Sequence, residues 1–175
     1  MSRLLFVCFP DTNHPIGGVK QIYRQVSLLN SLGITAFVLH KSSGFRVTWF
    51  ESDAPVLDLQ SYYESEPNIN SDIIVLPETW VSNIPTFFPG IKKVIFNQNA
   101  YYTFGLDGQF DYQIVHLYHH PDVAAVVVVS DDNRRLLVEG CGVNSRNVFL
   151  LLNGIDSDLF YPPAIKARRI VYLER

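Results

Sequence analysis

The chain has 175 residues, 47% hydrophobic and 18% charged, with a formal net charge of −3. Such a length and composition suit one globular domain with its own core and exclude a disordered chain. The mildly acidic balance, with no long basic run, argues against a nucleic-acid binder that works by neutralising phosphates.

The first apolar run, Leu4 to Phe9, reads as a strand buried on both faces. HPIGGVKQ follows at 14–21, with two adjacent glycines ahead of a helical pattern. Val19, Ile22, Tyr23, Val26, Leu29 and Leu32 recur at spacings of three and four, which predicts a helix over 19–32 closed by Gly33. Residues 34–39, ITAFVL, form a second strand at once, completing a βαβ unit.

Short strands are expected at 45–50 and 56–59, and a clear one at 73–77. A short helix fits within 80–88, and 94–96 is a strand that runs into Asn97-Gln98-Asn99. Residues 101–110 read as an aromatic loop. Residues 123–129 hold five valines in seven and are the strongest strand signal. Ser130 then caps a helix over 131–139, with Asp131 and Asp132 favourably placed in its first turn and Gly140 and Gly142 at its end. A last strand, 148–152, leads to Asn153-Gly154.

The expected fold is therefore α/β: a single Rossmann-like domain over 1–161, with a mainly parallel sheet and helices on both faces. Pro162-Pro163 breaks the pattern and Ile170-Val171-Tyr172-Leu173 begins a new apolar run. Residues 162–175 read as a linker and the first strand of a second domain, so the chain is expected to be the first half of a longer protein.

Cys8 lies inside an apolar run far from Cys141, which suits a buried inert thiol in a reducing compartment. The first run lacks a signal peptide's charged flank, and no stretch reaches the roughly 18 apolar residues that span a bilayer. A soluble cytoplasmic protein is expected, with peripheral membrane contact left open.

Gly17 and Gly18, between strand and helix, permit positive φ and close backbone approach, and the helix start offers free N–H groups to a diphosphate or carboxylate. Their spacing is not GxGxxG, and a simple tight turn stands as the alternative. Asn153-Gly154 falls where open α/β sheets bind ligands, at a strand's carboxyl end, or forms a structural turn. His14 precedes the glycines and is placed to contact a ligand in the same loop. His116, His119 and His120 in HLYHH read as surface histidines, because further ligands at a zinc spacing are missing. Tyr101, Tyr102 and Phe104 suit either sugar stacking or core packing. Glu78, after Pro77, is the carboxylate placed where a base would project, or an ordinary solvated residue.

The GGV opening with LLNSLGITAFVL, and VVVVSDDNRRLLVEGCGVNSRNVFLLLNGIDSDLFYPP at the other end, resemble the N-terminal domain of family 4 glycosyltransferases of the GT-B fold. The resemblance spans essentially the whole chain. It implies two Rossmann-like domains facing across a cleft. The N-terminal one holds a sugar, glycan or lipid-linked acceptor, and the missing one holds most of the nucleotide-sugar donor. It also implies retention of configuration, with no metal or cofactor, Gly17 and Gly18 near the donor diphosphate, and Asn153 and Gly154 lining the cleft.

The histidine that the family often carries after the middle strand is replaced here by Asn97-Gln98-Asn99. These amides, with Tyr101, can bind sugar hydroxyls but cannot act as a base, so no catalytic residue is assigned. The chain alone is expected to be inactive. The alternative is a non-catalytic module that binds a glycan or a protein. An NAD-dependent oxidoreductase is disfavoured by the missing fingerprint and by His40-Lys41 where an acidic residue would end the second strand.

Overall fold

A computed structural model describes residues 2–104, 111–155 and 161. Among these residues seven strands form one sheet: β1 (Leu4–Val7), β2 (Ala36–His40), β3 (Val56–Asp58), β4 (Ile73–Pro77), β5 (Lys92–Asn97), β6 (Val123–Val128) and β7 (Val148–Leu150). Their order is β3-β2-β1-β4-β5-β6-β7 and every pairing is parallel. Alternation along β1 sends Leu5 and Val7 to one face and Phe6 and Cys8 to the other. Both faces are covered, which is why the strands read as continuous apolar runs.

Helix α1 (Gly17–Ser31) lays Ile22, Tyr23 and Val26 on the Phe6 face. The Leu5 face takes Tyr62 of α2 (Leu59–Glu64) and Leu137, which follows α3 (Asp131–Arg135). Ser130 caps α3 as expected, accepting the Asn133 N–H at 3.1 Å. The fold is thus a single Rossmann-like α/β domain with helices on both faces. None of the helices among the described residues is long and apolar enough to cross a membrane.

Four expectations change. Residues 45–50 form no strand; their aromatic side chains pack under α1 from an irregular segment. The helix expected within 80–88 is a 3₁₀ turn over Glu78–Asn83. The helix after Ser130 widens at Leu136–Gly140 into a π turn. The loop expected at 101–110 begins as a 3₁₀ turn over Ala100–Phe104. The linker and strand expected at 162–175 lie outside the described residues.

Charged clamps close the amino-terminal end of the sheet. Arg3 grips Asp72 through Nε (3.0 Å) and Nη2 (2.6 Å), and the Tyr62 hydroxyl donates to the same carboxylate at 3.1 Å. Lys93, fully buried, donates from Nζ to the carbonyls of Phe88 (2.7 Å) and Ile91 (2.9 Å) and lies 3.3 Å from Asp122 Oδ2. Gly90, at φ +83°, turns its N–H onto the same oxygen at 2.9 Å.

Candidate functional site

Strand order reverses at β1, which pairs with β2 on one side and β4 on the other. At such a switch point the loops leave in opposite directions and open a crevice beyond the carboxyl ends of the strands. A cavity of about 500 Å³ lies there, within the range of ligand sites. Val7, Cys8 and Phe9 at the end of β1 form its floor, and Gly17, Gly18 and Gln21 at the start of α1 form one wall. Pro77 at the end of β4 with Glu78 beside it, Gln98 and Asn99 after β5, and Asn153 beyond β7 complete it.

The glycine pair sits inside the first turn of α1 rather than in the loop before it. Neither glycine has positive φ, so the turn requirement expected from the sequence is replaced by close approach. A Cβ on Gly18 would lie 3.3 Å from Gln98 Nε2, whereas a Cβ on Gly17 would meet nothing within 4 Å. Gly17→Ala is therefore expected to leave stability unchanged or raise it by up to about 1 kcal/mol, since alanine is the better helix former. Gly18→Ala should gain less and displace the Gln98 amide. Thermal denaturation with the Gln98 side-chain NMR signals checks both; a clear loss of stability in Gly17→Ala would contradict the open space seen there.

Ile16 precedes this turn with extended backbone and offers no side-chain cap, and the first turn carries no acidic residue. The leading residues of α1 line the cavity, and their N–H groups have no side-chain cap at the positive end of this 15-residue helix.

Glu78 is 6% exposed rather than solvated. Its Oε2 accepts the Gln98 N–H at 3.0 Å. Burial raises its carboxyl above the usual range, against the N–H groups of Gln98, Glu78 itself and Asn99, which favour the charged form. The Gln98 side chain reaches across to the Gly18 carbonyl at 3.4 Å, joining the two walls.

Of the residues expected to bind substrate, Gly17, Gly18, Gln98, Asn99 and Asn153 meet in the cavity. Asn97 does not: it is fully buried and donates to Thr103 Oγ1 and the Tyr118 hydroxyl, each at 2.8 Å, while accepting from Asn133 Nδ2 at 2.9 Å. Strand alternation carries this signal, because Asn97 shares a face with core residue Ile95 and Gln98 shares the other with Phe96. Tyr101, 80% exposed, borders a separate groove beside Arg135 and Glu139, and Tyr102 lines the cavity instead. His14 and Gly154 are exposed and lie outside the lining. Tyr102 was marked by its place among the aromatics after the amides, whereas Thr12 and Gln21 are lining residues without a distinct motif in the sequence.

A buried chain of polar groups braces the loop after β1. Asp11 Oδ1 lies 3.0 Å from His40 Nδ1, and His40 Nε2 lies 2.8 Å from the Tyr23 hydroxyl. The carboxylate only accepts, so Nδ1 carries the proton and Nε2 accepts from Tyr23. Burial holds His40 below its ordinary pKa despite Asp11. Asp11 also accepts the N–H groups of Lys41 and Ser42, at 3.0 and 2.7 Å, which fixes Thr12 at the cavity rim. Cys8 is inert here, its thiol pushed up to about 12 by burial.

The HLYHH histidines fall in and just after a 3₁₀ turn (Tyr112–His119), whose three-residue period keeps His116 and His120 off a common face. Among the described residues there is no cluster of three or more His, Cys, Asp or Glu arranged to hold a metal ion. Comparison with protein-family models and with curated proteins finds no match.

Proposed function

We propose that this chain is the acceptor-side half of a retaining glycosyltransferase that moves a sugar from a nucleotide-sugar to a sugar, glycan or lipid-linked acceptor. The observation that carries this reading is the meeting of three motifs distant in sequence, Gly17-Gly18, Gln98-Asn99 and Asn153, in one cavity at the switch point of a parallel sheet. The uncapped start of α1 suits the donor diphosphate, where developing negative charge on the leaving group would be stabilised by N–H groups and the helix dipole. Amides and an aromatic ring beside apolar walls suit a sugar acceptor. The reaction needs no metal in this reading, and a second domain supplies the rest of the donor site. Two unpaired cysteines are in keeping with a cytoplasmic setting.

The test is titration of the full-length protein with UDP and GDP, following the backbone amides of Gly17, Gly18 and Val19, together with assays of transfer from the matching nucleotide-sugars. Shifts at these amides and transfer are the expected result. A glycan-binding protein whose Gly17 and Gly18 amides ignore both nucleotides would instead be a non-catalytic module. The 175-residue chain by itself should transfer nothing, and turnover by it alone would overturn the division of labour.

A further inference from the structure

We propose that Glu78 is the specificity-determining residue of the switch-point cavity, accepting a hydrogen bond from a hydroxyl of an uncharged acceptor and turning away a phosphorylated one. This rests on the reading of the cavity as an acceptor site.

Glu78 is held at the carboxyl end of β4 and lines the cavity although 94% of its surface is covered. Among the described residues no Lys, Arg or His pairs with it. A buried carboxylate without a cation is costly unless donors fill its lone pairs. The backbone N–H groups around it take up part of its capacity of about four, leaving room for a donor from the cavity side. A hydroxyl is such a donor. The polar groups nearby, Thr12, Thr79, Gln98 and Asn99, are neutral and both donate and accept, which matches the hydroxyls of a polyol.

Charge decides against an anionic acceptor. Among the described residues, Glu78 is the single charged one that lines the cavity. An acceptor phosphate would meet this carboxylate with no side-chain cation among the described lining residues to offset it, and would compete with the donor diphosphate for the N–H groups of α1. An ammonium group is not required either, because the backbone donors already stabilise the carboxylate in part.

The experiment titrates the chain with the methyl glycosides of glucose, galactose, mannose and N-acetylglucosamine, and with glucose 6-phosphate and glucosamine. The backbone amides of Gln98 and Asn99 are followed by NMR. At least one neutral glycoside should shift both amides, and Glu78→Gln should weaken it by about tenfold, as for loss of a charged hydrogen bond. Glucose 6-phosphate should bind more weakly than the neutral glycosides in the native protein and approach them in Glu78→Gln. Glutamine keeps the volume and an acceptor for the Gln98 N–H, so a purely structural role would leave affinity unchanged in this variant.

Unchanged affinity in both Glu78→Gln and Glu78→Ala, tighter binding of the phosphate, a preference for glucosamine that disappears in Glu78→Gln, or no response to any neutral glycoside would each overturn the assignment. Nucleotide shifts at Gly17 and Gly18 are scored separately. Their presence alongside any of these results would sink the Glu78 assignment and leave the glycosyltransferase reading standing.

Discussion

Asp122→Ala is expected to destabilise the fold by about 3–5 kcal/mol, the cost of leaving a buried charge without its partner. That corresponds to a fall in melting temperature of roughly 10 °C for a domain of this size. Lys93 has no exposure, whereas Asp122 keeps 15% of its side chain in contact with solvent. The two halves of the pair are therefore unequal. Without Asp122 the ammonium stays buried against two carbonyls; without Lys93 the carboxylate retains the Gly90 N–H and some water. Lys93→Met should accordingly cost less, about 1–2 kcal/mol. Equal losses would show that the stranded ammonium is not what matters.

The buried Lys93 ammonium also makes stability depend on pH. Burial lowers the Lys93 pKa from 10.5, and Asp122 works in the opposite direction. In Asp122→Ala the folded-state value falls further while the unfolded value stays at 10.5, so below that pH the unfolded chain binds more protons. Stability then rises with pH. The gap between variant and native protein should narrow as pH climbs from neutral toward 10.5, measured by urea denaturation at a series of pH values. A gap that widens would reverse the sign and refute the account.

Asn97→Ala is expected to cost about 2–4 kcal/mol, because Thr103 and Tyr118 each lose a buried partner and Asn133 loses one of its two acceptors. The effect should also reach the cavity. Asn97 ties β5 to the turn over Ala100–Phe104 and to α3, and Gln98 and Asn99 follow it directly. Denaturation and the backbone shifts of Gln98 and Asn99 should therefore move together. A variant within about 0.5 kcal/mol of the native protein, the range of an ordinary surface change, would mean that the network is dispensable.

Strands were legible where apolar runs were long and punctuated: 73–77 coincides with β4, and the valine run with β6 apart from its last residue. Residues 45–50 misled because FRVTWF has the composition of a strand, yet the outer edge of β2, the strand it follows in the chain, is taken by another segment. β3 already pairs with β2. Side chains hold the segment instead, with Arg46 donating to the carbonyls of Ser52 and Ala54 and Asn13 bonding Thr48. Local propensity carries no information about such competition. The candidate site was half legible. Glycines and amides stood out as types, but the burial of Glu78 depends on β5 bringing the Gln98 N–H against it, a contact across 20 residues.

The ends of the sheet have different tasks. Arg3–Asp72 and Lys93–Asp122 lock one end, while the cavity opens at the other, roughly 15 Å away along strands of about five residues. A chain arranged in this way is evolvable: cavity walls can be rewritten for a new ligand while the opposite rim keeps the polypeptide folded.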